Sequence, residues 1–304
     1  MIGKHGRILV PLDGSRLAEA VLPTAFGLAR QLDATVILLH VVERRAPAHV
    51  HGEPHLTTAA DAEAYLDRVA SRGRAQGVEV DVHTHSDSTV SDVAGAIAAH
   101  AVEYGAELIV VGAHGRGGVR GLLIGRIAQQ TLQRGTASVL LIRPRANGGA
   151  PEFICGRIVV ALDPRRHGDV ALQGALELAR ACDSRIELLT VVPTPGALPP
   201  SRRAAGTLLP QATHALLDIE SREIRETLEE KAAGLEARGV PCRVEVRRGD
   251  PVAEIARALH DDPADLLVVA THGRAGLGGW MAGSFATRIA SQTDVPLLLV
   301  RIAE

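Results

Sequence analysis

The sequence predicts an α/β chain made of two doubly wound, Rossmann-like parallel sheets of five strands each, arranged in tandem. Three observations predict it. The chain repeats itself: RILVPLDGS at 7–15 returns as RIVVALDPR at 157–165, LAR at 28–30 as LAR at 178–180, and LLHVV at 38–42 as LLTVV at 188–192, each at an offset of 150. Short β-branched runs alternate with stretches of helical pattern, as right-handed βαβ units require. The strand runs are apolar throughout rather than alternating, as in parallel strands covered on both faces.

In the first copy RILVPL (7–12) gives the first strand, and LDGS then turns the chain into a helical pattern over 16–31. A second strand follows at 35–42, a helix at 57–76, a third strand at 78–83, a helix at 89–104, a fourth strand at 107–111, a helix at 125–134 and a last strand at 138–142. In the second copy strands fall at 157–162, 185–192, 241–247, 265–269 and 296–301, and the clearest helix is 213–237, where Glu, Arg and Lys alternate with Ala and Leu. The triplet HGR recurs at 114–116 and 272–274, now at an offset of 158, so eight residues were inserted between; the Pro-rich stretch 193–210 is their place. RPRANGGAPEF (143–153) has the Pro and Gly of a linker, giving domains at 1–146 and 152–304.

Composition narrows the function. Of 304 residues 46% are hydrophobic and only 2% aromatic, so the core must be Ala, Val, Leu and Ile. A net charge of −2 gives no footprint for nucleic acid or a membrane surface. The apolar runs are too short to span a bilayer. Cys155, Cys182 and Cys242 form no CxxC pair, which fits a reducing cytoplasm. The expected location is cytoplasmic.

The chemistry concentrates where the fourth strand of each copy ends. The first copy reads Gly112-x2-Gly115-x9-Gly125-Arg126, with His114 and Arg116 inside it; the second reads Ala270-x2-Gly273-x9-Gly283-Ser284, with His272 and Arg274. Ligands of open α/β sheets bind beyond the carboxyl ends of the strands, where strand order reverses. A Walker A loop needs Gly-Lys-Ser/Thr, and the only lysines are Lys4 and Lys231. A Rossmann fingerprint would follow the first strand, where PLDGS and ALDPR stand instead; a receiver-type site lacks its lysine. A glycine turn running into a helix start still presents unpaired backbone N–H groups backed by the helix dipole, an anion site without lysine. Gly125 and Gly283 stand where the helix begins, and Ser284 adds a hydroxyl.

The spacing G-x2-G-x9-G-S/T after the fourth strand, found twice with an Asp after each first strand, resembles the universal stress protein family in its two-domain, nucleotide-binding form. The resemblance covers 7–143 and 157–302. It implies ATP or a related adenine nucleotide; Asp13 or Asp163 could help hold Mg²⁺ beside the phosphates. It implies Asp13 and Asp163 on the ribose, with Pro11 and Ser15 beside Asp13, and the backbone around Val41 and Val191 on the adenine edge. It also implies a stress-linked sensor or regulator pairing through its last strands, as a homodimer or as a pseudo-dimer within one chain. Arg126 stands where the family prefers Ser or Thr. Ala270 replaces the first glycine of the second loop, and Arg165 stands where the first copy has Ser15. The first copy is therefore the better nucleotide site.

Simpler readings stand beside these. LDGS is an ordinary turn and cap sequence. His49, His51 and His55 in APAHVHGEPH read as a solvated loop, and His83 and His85 as a partly exposed pair on one strand face; no metal is expected. His114 and His272 have no Ser and Asp partners for a triad. No general base is evident, so turnover would be slow or absent. A nucleotide-independent interaction protein and a slow ATPase remain alternatives.

Overall fold

The computed structural model describes residues 3–43, 48–50, 52–86, 92–113, 130–131, 134–144, 153–163, 168–198, 208–271 and 282–301. It resolves into two compact units: Met1–Ile154 with Thr271–Thr287 and Pro296–Glu304, and Cys155–Ala270 with Arg288–Val295.

The first copy contributes β1 (Arg7–Pro11), α1 (Arg16–Glu19), α2 (Leu22–Leu32), β2 (Thr35–Val41), a two-residue hairpin of β3 (His49–Val50) and β4 (Glu53–Pro54), α3 (Ala59–Arg74), β5 (Val80–His85), α4 (Val93–Glu103), β6 (Leu108–Gly112) and β7 (Ser138–Ile142). The second contributes β8 (Arg157–Ala161), α5 (Gly168–Cys182), β9 (Arg185–Val192), α6 (Pro210–Glu236), β10 (Cys242–Arg248), α7 (Pro251–Asp261), β11 (Leu266–Thr271), α8 (Ala282–Gln292) and β12 (Leu297–Arg301). The helix expected at 125–134 lies almost wholly outside the described residues.

In the first unit the strand order is β12-β7-β6-β1-β2-β5. The first copy's strands in this sheet are parallel, and β12 pairs antiparallel with β7, Leu297 opposite Leu141 and Leu299 opposite Val139. Strand order reverses between β1 and β6. Ile8, Leu9, Val10, Leu38, Leu39, Ile109 and Val110 are fully buried, as strands covered on both faces must be. In the second unit β10-β9-β8-β11 are likewise parallel, with the same reversal between β8 and β11. The duplication extends to backbone detail: Asp33 and Asp183 both end a helix turn with a left-handed φ of 52°, a conformation Asp tolerates better than most residues.

Several boundaries differ from expectation, and two of the differences have a single-residue cause. The helix expected at 16–31 is broken into α1 and α2, because Pro23 cannot donate to Glu19 and its ring would strike that carbonyl. The third strand begins and ends two residues later than expected and so includes both His83 and His85. The helix expected from 89 starts at Val93, where the Asp92 carboxylate caps the Gly95 N–H at 3.1 Å.

Helix–sheet packing is close. A Cβ at Gly73 of α3 would lie 2.8 Å from Phe26 and Val80, so a bare backbone is what brings α3 onto α2 and β5. In the second unit a buried ion pair within the sheet is extended toward the surface by two more charged residues. Arg157 is 3% and Glu187 1% exposed. Arg157 Nη2 and Arg243 Nε donate to Glu187 Oε2 at 2.5 and 2.6 Å, and Arg243 Nη2 reaches Asp262 at 2.7 Å. Among the described residues no helix is long and apolar enough to cross a membrane.

Candidate functional site

The carboxyl edge of the first sheet is built by register. Pro11 stands opposite Leu39, and Leu9 opposite Ile109, so Asp13 comes level with Val41 and lies within one residue of the level of Gly112. These three meet where strand order reverses, the position at which open α/β sheets take ligands. Main-chain bonds fix the rim: Leu12 N–H donates to Leu39 O at 2.8 Å, and Ala113 N–H to Ile142 O at 2.8 Å. Beyond Ala113 the chain enters 114–129, so His114, Gly115, Arg116, Gly125 and Arg126 lie outside the described residues, as do His272, Gly273 and Arg274 in the second copy.

The turn after β1 is held by its own side chains. Asp13 Oδ1 accepts from the Ser15 N–H at 2.9 Å and from the Ser15 hydroxyl at 2.6 Å, while Gly14 between them adopts φ +88°. Only glycine takes that φ without strain. Ser15 Oγ in turn accepts from Ala18 N–H at 3.1 Å, capping α1. Ser15 is fully buried and Asp13 half-buried. The turn-and-cap role read in LDGS is thus present, and it fixes the direction of the Asp13 carboxylate at the rim.

Two features of this edge are not visible in the motif. His40 of β2 is buried, and its Nδ1 lies 2.7 Å from Leu12 O. Burial holds its pKa below the ordinary imidazole range, so the ring is neutral and Nδ1–H donates. At the matching position of the second copy the Thr190 hydroxyl donates to Leu162 O at 2.9 Å. Each copy therefore ties its first-strand exit to the second strand by one polar side chain, a signal present in LLHVV and LLTVV as a polar residue inside an apolar run. The second feature is a strap across the turn. His55 is buried rather than solvated, its ring 6.0 Å from that of His40. Leu56 lies 2.9 Å from where a Gly14 Cβ would be, and Glu53 accepts from Arg16 N–H at 2.6 Å. The solvated-loop expectation is therefore corrected for His55, because the β3–β4 hairpin folds it inward; His49 is exposed, and His51 lies outside the described residues.

The second sheet repeats the edge in outline. Ala161 is opposite both Leu189 and Val269, which brings Asp163, Val191 and Ala270 to its carboxyl rim. Asp163 and Ala270 are half-buried and Val191 is buried. Gly112 closes β6 and Ala270 lies within β11. Extended backbone of that kind accepts any residue, so Ala270 imposes no strain; a methyl there matters only where a ligand approaches it closely. Gly283 and Ser284 fall in the first turn of α8.

The comparisons agree with this architecture. The model of the universal stress protein family matches residues 4–143 and again 155–301. A universal stress protein of Mycolicibacterium smegmatis is 24% identical over 303 residues, 97% of this chain and 96% of that protein. Universal stress protein YxiE of Bacillus subtilis is 25% identical over 149 residues, 45% of this chain and 98% of that protein. Among solved structures, a universal stress protein from Archaeoglobus fulgidus aligns over 99% of this chain and 98% of its own with a TM-score of 0.67 at 16% identity. Two family domains in one chain, each with its strand order reversing at the first strand, place this protein in the universal stress protein family, in its tandem form.

Proposed function

We propose that the first copy binds an adenine nucleotide, ATP with Mg²⁺, at the carboxyl edge of its sheet, and that the protein acts as a nucleotide-responsive regulator in the cytoplasmic stress response. The observation that carries this reading is the convergence of Asp13, Val41 and Gly112 where strand order reverses, with the Gly112-x2-Gly115-x9-Gly125 loop leaving from that point. Asp13 would accept from the ribose, the backbone at Val41 would meet the adenine edge, and the loop amides would hold the phosphates. Pro11 and Ser15 support the turn that aims Asp13. Arg116 and Arg126 add positive charge in a loop otherwise dependent on backbone donors. Asp163, Val191, Ala270, Gly283 and Ser284 would form the weaker second site, with His272, Gly273 and Arg274 in its loop. Binding, rather than turnover, is the activity, and nucleotide would favour one arrangement of loops and surfaces over another. The antiparallel pairing of β7 with β12, the last strands of the two copies, supports a pseudo-dimer within one chain.

A second reading, a nucleotide-independent interaction protein on the same fold, is favoured by the commitment of Asp13 Oδ1 to Ser15 and by Arg126 in the loop. Calorimetric titration of nucleotide-free protein with Mg-ATP separates the two. Saturable heat with no phosphate release over hours is expected. Absence of heat selects the interaction protein, and steady phosphate release selects the slow ATPase.

A further inference from the structure

A cluster of imidazoles lies away from this edge-and-loop site, on the outermost strand of the first sheet. His83 and His85 of β5 are two residues apart and so share a face, and α4 brings His100 over them. Ring centroids are 4.7 Å apart for His83 and His100 and 4.8 Å for His85 and His100. His100 Nε2 is 2.9 Å from His85 Nδ1, and one ligand atom from each of the three histidines lies within 4.8 Å of the others. Each of two rings is held by an outer partner: His83 Nδ1 is 2.8 Å from the Tyr104 hydroxyl, and His100 Nδ1 is 2.7 Å from Glu103 Oε2. That leaves His83 Nε2 buried with no hydrogen-bond partner among the described residues, beside the two nitrogens of the facing pair.

We propose that His83, His85 and His100 form a binding site for one divalent transition-metal ion of the zinc class, with solvent as the fourth ligand. The donor set selects the class: three imidazoles suit zinc, cobalt, nickel or copper, whereas magnesium and calcium want oxygen. The outer partners match what a ligating histidine requires, a second ring nitrogen fixed by a carboxylate or another acceptor so that the first presents its lone pair. Metal–nitrogen bonds of about 2.0–2.1 Å place tetrahedral ligand nitrogens about 3.4 Å apart. The 2.9 Å pair would open slightly and the 4.8 Å spread would close, movements within reach of the half-buried His83 and His85 side chains.

The second copy supplies an internal contrast. By register His83 and His85 stand opposite Leu39 and Val41 as Glu245 and Arg247 stand opposite Leu189 and Val191, and α4 matches α7 at an offset of 158, so that His83, His85, His100 and Tyr104 correspond to Glu245, Arg247, Ala258 and Asp262. There the same corner of the fold is closed by Arg247, which pairs with Glu245 at 2.6 Å and with Asp261 at 3.1 Å. The shared fold therefore does not require imidazoles at this corner, and the site is private to the first copy. It rests on none of the residues assigned to nucleotide.

Tag-free, chelator-stripped full-length protein titrated with Co²⁺ tests it. The proposal expects the intense visible bands of a tetrahedral ion, saturating at one Co²⁺ per chain and displaced by Zn²⁺. His83→Asn with His100→Asn should abolish them while His49→Asn with His51→Asn leaves them intact. Because His100 is buried, the exposed Glu103→Gln variant guards against misfolding: it should keep the bands and weaken affinity about 10-fold. No tetrahedral spectrum in the native chain, a spectrum that survives the His83/His100 change, or one lost with His49 and His51 would overturn the proposal.

Discussion

Replacing Glu187 with alanine should cost the second unit about 3–5 kcal/mol of stability, read as a lowered urea midpoint at unchanged slope. The reason is what it leaves behind. Arg157 is 3% exposed, and its guanidinium would lose its buried carboxylate partner at 2.5 Å and keep only the half-exposed Asp262 carboxylate at 3.2 Å. The ion pair itself is not the source of the effect. Converting both residues together, Arg157→Met with Glu187→Leu, removes the charges in concert and should cost much less than the single change. A loss under about 1 kcal/mol for the single variant would show that water reaches Arg157, contradicting its burial. Acid should act through the same group. Burial pushes the Glu187 carboxyl upward, but hydrogen bonds from Glu245, Arg157 and Arg243 outweigh it and hold the pKa below its ordinary 4.5. A depressed carboxyl contributes its full stabilisation above the unfolded value and loses it as pH falls through the folded one. The neighbouring Glu245 is displaced upward, by burial and then by Glu187, so it works in the opposite sense and is protonated first.

Gly115→Val should lower nucleotide affinity in the first copy at least about 100-fold, equivalent to about 2.7 kcal/mol. On the proposed reading the backbone at this glycine approaches the phosphates, and a branched side chain would occupy the space of the anion and stiffen the loop. The sheet should be untouched. Its core residues Ile8, Leu9, Ile109 and Val110 are fully buried through their own neighbours, so the unfolding midpoint should match that of the native chain. Unchanged Mg-ATP affinity in a folded Gly115→Val protein would remove the loop from the site.

The fold was legible because it is written twice. RILVPLDGS and RIVVALDPR fix the first strand of each copy, and apolar runs without alternation announce parallel strands buried on both faces. Element ends were less legible where a single residue decides them, as Pro23 does between α1 and α2 and Asp92 does at the start of α4. At the site, the placement of Asp13, Val41 and Gly112 followed from strand order alone, since each stands at the carboxyl end of its strand. His55 could not be read as buried, because its burial depends on a two-residue hairpin whose sequence is rich in Pro, Gly and His. The pairing of His83 and His85 with His100 was hidden for a related reason. Strand periodicity puts the first two on one face, but which helix covers that face, and in which rotation, is a property of packing.

The most direct measurement is to denature freshly purified protein and identify and count the nucleotide it releases. Adenine nucleotide, ATP or ADP, at about one per chain is the predicted result, in keeping with few built sites per protein and with the site proposed in the first copy. No released nucleotide, together with no heat on titration with Mg-ATP, would contradict the account and leave the carboxyl edge of the sheet as a surface for other proteins.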